Sequence, residues 1–172
     1  MIRHIAAPIA MFALFIASAA PVGAQTFDTR ASAAYVLDHS TGVVLLEKNA
    51  DDPLPPASML KLMTLYMAFE AINPLNGQDP FLTVDDVLPV SQHCMDYTGS
   101  TMFLDTTDRV RVDDLLRGII VLSGNDASCV IAEGLSRNGT EAGFAQQMTV
   151  RAQQLGMLNS SFANSNGWPA AG

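Results

Sequence analysis

Between Ser58 and Ile72 the chain runs without glycine or proline, and Met59, Leu60, Leu62, Met63, Leu65, Met67, Phe69 and Ile72 fall on nearly every side of a helix. A helix apolar all round predicts burial on most of its faces. Asn73-Pro74 then ends it, because the residue before a proline is driven out of helical geometry. Inside this run lies Lys61, one of the chain's two lysines, with Ser58 one turn ahead. Burying an ammonium is costly unless it is paired or loses its proton. So either Lys61 extends its head to the surface, or an altered basicity is wanted.

The rest of the chain frames that question. Ala33–Leu37 and Val43–Lys48 are β-rich runs joined by Asp38-His39-Ser40-Thr41-Gly42, a hairpin pattern. Residues 75–112 read as loops and short extended pieces, broken by Gly77, Pro80, Pro89 and Gly99. Asp113-Asp114 opens a helix, Ser123-Gly124-Asn125 interrupts it, and Asp126 is placed to cap a second one. Thr140 caps a third, which Gly156 closes, and NSSFANSNGWPAAG is loop chemistry. The order predicts an α+β domain in which the hairpin belongs to a larger sheet. No segment after residue 113 reads as a further strand.

The N-terminus reads as an export signal. Arg3 and His4 precede an apolar run from Ile5 to Ala20, followed by Pro21-Val22-Gly23-Ala24. That is the pattern of a cleaved leader over 1–24, and the broken run is short for a membrane anchor. The formal charge is −8, without a cluster of Lys or Arg, which argues against nucleic acid and anionic lipid as partners. His4, His39 and His93 are scattered, with His39 and His93 expected in solvated loops, so no metal or cofactor is expected. Cys94 and Cys129 meet an oxidising compartment and can pair, or can remain inert thiols. Cys129, in an apolar run, reads as a small core residue.

Ser58 and Lys61, at i and i+3, project from one face about 4.5 Å apart along the axis. A nucleophile beside a lysine whose basicity is depressed by burial is an acyl-transfer pair, with the helix N-terminus at hand for an oxyanion. The plain alternative is a capping serine and a lysine with its head in solvent. Ser123-Gly124-Asn125 adds weight, because apolar helices on both sides would hold its hydroxyl and amide rigidly. Ser136-Arg137-Asn138 shows the same spacing and reads as an exposed helix end.

Taken together, AAYVLDHSTGVVLLEKNAD, PPASMLKLMT, GSTMFLDTTDRVRVDDLLRGIIVLSGNDAS and LGMLNSSFAN resemble the front half of the low-molecular-weight penicillin-binding proteins, the serine D-alanyl-D-alanine carboxypeptidases. The resemblance implies the penicillin-recognising (β-lactamase/transpeptidase-like) α+β fold, a periplasmic location, and peptidoglycan pentapeptide and β-lactams as ligands. It also implies that Ser58 attacks the carbonyl between two D-alanines, Lys61 takes its proton, Ser123 relays protons to the leaving group and Asn125 binds the substrate amide. The family's third motif, Lys-Thr/Ser-Gly, is unmatched, since Asn49 follows Lys48 and Leu62 follows Lys61. Residues 25–172 are therefore expected to be the N-terminal portion of a catalytic domain, with the remaining strands and any membrane-associating helix not encoded. A D,D-endopeptidase of the same family and a non-catalytic remnant are the alternatives. A class A β-lactamase-like hydrolase would want a loop glutamate after Ser-x-Asn, and Glu133 and Glu141 both read as helical.

Overall fold

The computed structural model describes residues 29–75 and 77–170; the expected leader lies outside them. The chain divides into two compact units, one through Pro53 and one from Leu54 onward. The first is the hairpin: β1 (Ala34–Leu37) and β2 (Val44–Lys48) pair antiparallel, Ala34 opposite Lys48 and Val36 opposite Leu46. The register slips between Val36 and Leu37, leaving Leu45 as an extra residue in β2. Gly42, at φ +72°, takes the left-handed position that closes the turn, and its N–H donates to the Asp38 carbonyl.

The second unit is mainly helical. A 3₁₀ turn (Ala57–Leu60) leads into α1 (Lys61–Ile72). Then come β3 (Val87–Pro89), the single turn α2 (Gln92–Met95) and β4 (Arg109–Arg111), with β3 and β4 paired antiparallel. Three helices follow: α3 (Val112–Leu122), α4 (Asn125–Leu135) and α5 (Glu141–Gln154). Among the described residues no strand follows Arg111, as the sequence predicts. No helix among them is long and apolar enough to cross a membrane.

The hub is α4, most of whose residues, including Ala127, Ser128, Cys129, Val130, Ile131 and Ala132, are buried. Small side chains at Ala127, Ser128, Cys129 and Ala132 let neighbouring helices approach closely, while Leu115, Ile119, Phe144 and Met148 fill the core around them. Each large side chain removed from water contributes roughly 1.5–3 kcal/mol. Cys94 of α2 and Cys129 of α4 form a disulfide, so of the two readings left open by the sequence the paired one holds. Closing a loop of that separation stabilises by about 3–4 kcal/mol in the chain-entropy account. It fixes α2 against the helix that carries Asn125.

Two expectations need correction. Helix α1 is not buried on most sides: Leu60, Lys61, Met63, Thr64 and Ala68 face the core, whereas Met59, Leu62 and Phe69 are half or more exposed. Leu65, Met67, Ala71 and Ile72, beside that face, are partly buried against the same core. Nor does Asp126 cap α4 from outside; Gly124 is the capping position, and Asp126 lies in the first turn. Its carboxylate is 1% exposed and accepts the backbone N–H groups of Met102, Leu104 and Ala127. Those bonds fasten the 98–104 loop beside the start of α4. Thr140 caps α5 as expected, accepting from the Gly143 N–H.

Candidate active site

Ser58 sits in the 3₁₀ turn, exposed, directly after Ala57. Ala57 has φ +48°, a left-handed conformation that costs a residue with a Cβ roughly 1–2 kcal/mol. Such strain persists only where surrounding structure imposes it, and it clusters at functional sites. Lys61 opens α1 and is 3% exposed, so the lysine does not reach for solvent. Its Nζ donates to Ser58 Oγ at 3.1 Å, to Asn125 Oδ1 at 2.7 Å and to the Asn166 carbonyl at 2.9 Å. Three donors meet three neutral acceptors, without a carboxylate among them. Burial lowers the Lys61 pKa below that of an ordinary lysine, because the charged form loses its water and gains no counter-charge.

The sequence spacing therefore brings Ser58 and Lys61 together, and the fold adds Asn125 from α4. The Asn125 side chain is clamped at both ends, its Nδ2 donating to the Thr98 carbonyl. Its backbone N–H donates to the Ser100 carbonyl. Ser123 lies two residues earlier, as the left-handed residue that ends α3, at φ +58°, with the next N–H closing back on the Gly118 carbonyl. The hydrogen bonds that join Ser58, Lys61 and Asn125 do not include the Ser123 hydroxyl, which is half-buried. Ser136, in the competing triplet, ends α4 and donates to Asn138 Oδ1.

Sequence reasoning missed the 164–168 turn, which it took as ordinary loop. Ser165, Asn166 and Asn164 are buried, and the turn is knit by its own amides. Asn164 Oδ1 accepts from the Gly167 N–H and Asn166 Oδ1 from the Trp168 N–H. Thr64, one turn beyond Lys61 on the same helix face, donates to the Ser165 carbonyl at 2.6 Å. Gly167 is at φ +79°, and a Cβ there would lie 1.9 Å from the Ala57 carbonyl oxygen. The Asn-Ser-Asn-Gly run was the available signal, since Asn and Gly favour tight turns. Nothing in it told that the turn would face Lys61.

A cleft of about 260 Å³ opens here, lined by Ser58, Ser100, Asn125, Asn166 and Trp168. A second, of about 230 Å³, shares Trp168 and is lined by His93, Asp96, Tyr97 and Thr98. His93 is exposed to solvent as expected but lies on α2 and not in a loop, with Nε2 2.7 Å from Glu141 Oε2. His39 does lie in an exposed turn. Among the described residues, ligand atoms of His93, Cys129 and Glu141 lie within 4.8 Å of one another, but Cys129 is spent in the disulfide.

A serine hydroxyl within hydrogen-bond reach of a buried lysine, at the mouth of a cleft in an α+β fold, is the geometry of a serine acyl-transfer centre. The comparisons give that class a family. The sequence profile of the D-alanyl-D-alanine carboxypeptidases matches residues 18–172, and the chain belongs to that family. It is 37% identical over 137 residues to the D-alanyl-D-alanine carboxypeptidase DacF of Bacillus subtilis, covering 80% of this chain and 33% of the relative. It is 34% identical to DacC of Escherichia coli, covering 100% of this chain and 43% of that one. The crystal structure of the D-alanyl-D-alanine carboxypeptidase DacD from Francisella tularensis superposes with a TM-score of 0.76 at 34% identity, covering 85% of this chain and 34% of that chain. The chain thus spans between a third and under half of the length of these relatives. The fold is that of the penicillin-binding D,D-peptidases, with part of the sheet.

Proposed function

We propose that this chain carries the nucleophile and base of a serine D-alanyl-D-alanine carboxypeptidase that acts outside the cytoplasm on peptidoglycan stem peptides. The observation that carries the reading is Lys61 Nζ, buried and 3.1 Å from Ser58 Oγ. In the neutral form Lys61 takes the Ser58 proton as Oγ bonds to the carbonyl carbon between two D-alanines. The proton then passes to the departing D-alanine nitrogen, by way of the Ser123 hydroxyl, as the C–N bond breaks. Water next attacks the ester on Ser58, releasing the shortened peptide and restoring the hydroxyl. Asn125 holds Lys61 through its Oδ1 and binds the substrate amide. β-Lactams react at the same oxygen and leave a stable ester. Residues 1–24 serve as an export leader, which places the protein in the periplasm, where its substrate is.

The test is product release. Incubation with a pentapeptide ending in D-Ala-D-Ala is expected to yield free D-alanine, and the Ser58→Ala chain none. Cleavage only of a cross-linked dimer would assign the endopeptidase reaction instead. Release equal in the two chains would contradict the role of Ser58.

A further inference from the structure

Glu141 is held by neighbours on both carboxylate oxygens and has no part in the chemistry above. It opens α5 at 4% exposure. Its Oε1 accepts from the Ser165 N–H at 2.9 Å and the Ser165 hydroxyl at 2.5 Å. Its Oε2 accepts from the Tyr97 hydroxyl at 2.7 Å and faces His93 Nε2 at 2.7 Å. The Ser165 N–H is a fixed donor, the Ser165 and Tyr97 hydroxyls donate to the carboxylate, and His93 Nε2 donates in the tautomer that carries its proton there, so the shell suits an ionised carboxylate; an amide in its place gives up one of the two acceptor oxygens. Burial pushes its pKa up, but the bonds from Ser165, Tyr97 and His93 outweigh this and hold it below the ordinary carboxylate value. With its lone pairs engaged and its surface covered, Glu141 is not free to activate a deacylating water. The class A hydrolase alternative finds no base in it.

What those bonds hold is the wall of the site. Ser165 is fixed on one side by Glu141 and on the other by Thr64, and the next carbonyl, that of Asn166, receives Lys61. Tyr97, fixed by the same carboxylate, sets its ring edge-on to Trp168, with centroids 6.3 Å apart, on the shared wall of the two clefts. We propose that Glu141 is a positioning residue: its carboxylate fastens the 164–168 turn and so holds Lys61 on Ser58 and Trp168 over the cleft. The inference rests on the proposed role of Lys61. A pair of bonds to a buried carboxylate is the kind of link whose loss lets a turn open locally while the helices stay folded.

Because the chain has two lysines, each serves as reference for the other. Acetic anhydride labelling of the intact chain, read by peptide mass spectrometry, gives the ratio of Lys61 to Lys48 modification. In Glu141→Gln this ratio is expected to rise about tenfold at unchanged helical circular dichroism. Ser165→Ala, which removes one of the bonds, is expected to give a smaller rise, about threefold. Glu133→Gln, which alters another partly buried glutamate on α4, is expected to leave it unchanged. Penicillin acylation of Ser58 is expected to slow about tenfold in Glu141→Gln. An unchanged ratio in a folded Glu141→Gln chain, an equal rise in Glu133→Gln, or loss of the helical signal in Glu141→Gln would each overturn the inference. If the unaltered chain forms no penicillin adduct, the proposed activity falls while the labelling ratio still decides the role of Glu141.

Discussion

Gly167→Ala is expected to destroy the site while altering one hydrogen for a methyl group. The new Cβ would sit 1.9 Å from the Ala57 carbonyl oxygen and 2.5 Å from its carbon, both backbone atoms that cannot swing aside. The residue would also keep φ +79°, which costs an L-residue roughly 1–2 kcal/mol. Relieving the overlap adds about 1–3 kcal/mol. The relief must move either the 164–168 turn or Ala57, and Ser58 follows Ala57. A fall in melting temperature of about 10 °C is expected, together with loss of penicillin acylation. Gly139→Ala is the control, since its φ of +69° carries the same conformational cost with no atom within 4 Å of the new Cβ. It should lower stability by about 1–2 kcal/mol and leave acylation intact. Equal acylation by the Gly167→Ala chain would mean that the close approach of the two segments does not matter.

Lys61→Met is expected to lower the rate of acylation by about 10²–10⁴, the range that a positioned base supplies. Methionine keeps the length and apolar stem but cannot take a proton. The pH dependence gives a second signature. As the proposed base Lys61 must be neutral, and burial lowers its pKa from the usual 10.5. Acylation of the unaltered chain should therefore rise with pH and level off below the range of an ordinary lysine. That rise should vanish in Lys61→Met. The same shift bears on stability: the unfolded chain holds the lysine proton to higher pH than the folded one. The buried lysine therefore disfavours folding at pH below its folded pKa, and that penalty fades as pH rises toward the unfolded value. A rate in Lys61→Met within about threefold of the unaltered chain would remove Lys61 from the chemistry.

Local pattern carried much of this. The i, i+3 spacing of Ser58 and Lys61 is a helical relation, so it could be read before the fold was known. The turn signals at Gly42 and Gly156 and the cap at Thr140 likewise depend on neighbours in sequence. What stayed hidden depends on contacts between distant segments. Asp126 looks like a helix cap because Asp favours that place, yet two N–H groups from the 98–104 loop draw its carboxylate inward. His93 and Glu141 are 48 residues apart and carry no shared motif, so their bond could not be foreseen. The Asn166 carbonyl is a backbone group and leaves no mark on residue type at all. Helix α1 was misread for a related reason: composition reports how apolar a helix is, not how much of it its neighbours cover.

The central claim is that Ser58 is a working nucleophile because Lys61 is buried against it. Its most direct test is the intact mass of the chain after incubation with a labelled penicillin, beside Ser58→Ala. The account predicts one adduct on the unaltered chain, mapped to Ser58, and none on Ser58→Ala. A chain that circular dichroism shows to be folded, yet gains no mass or gains it elsewhere, would contradict it.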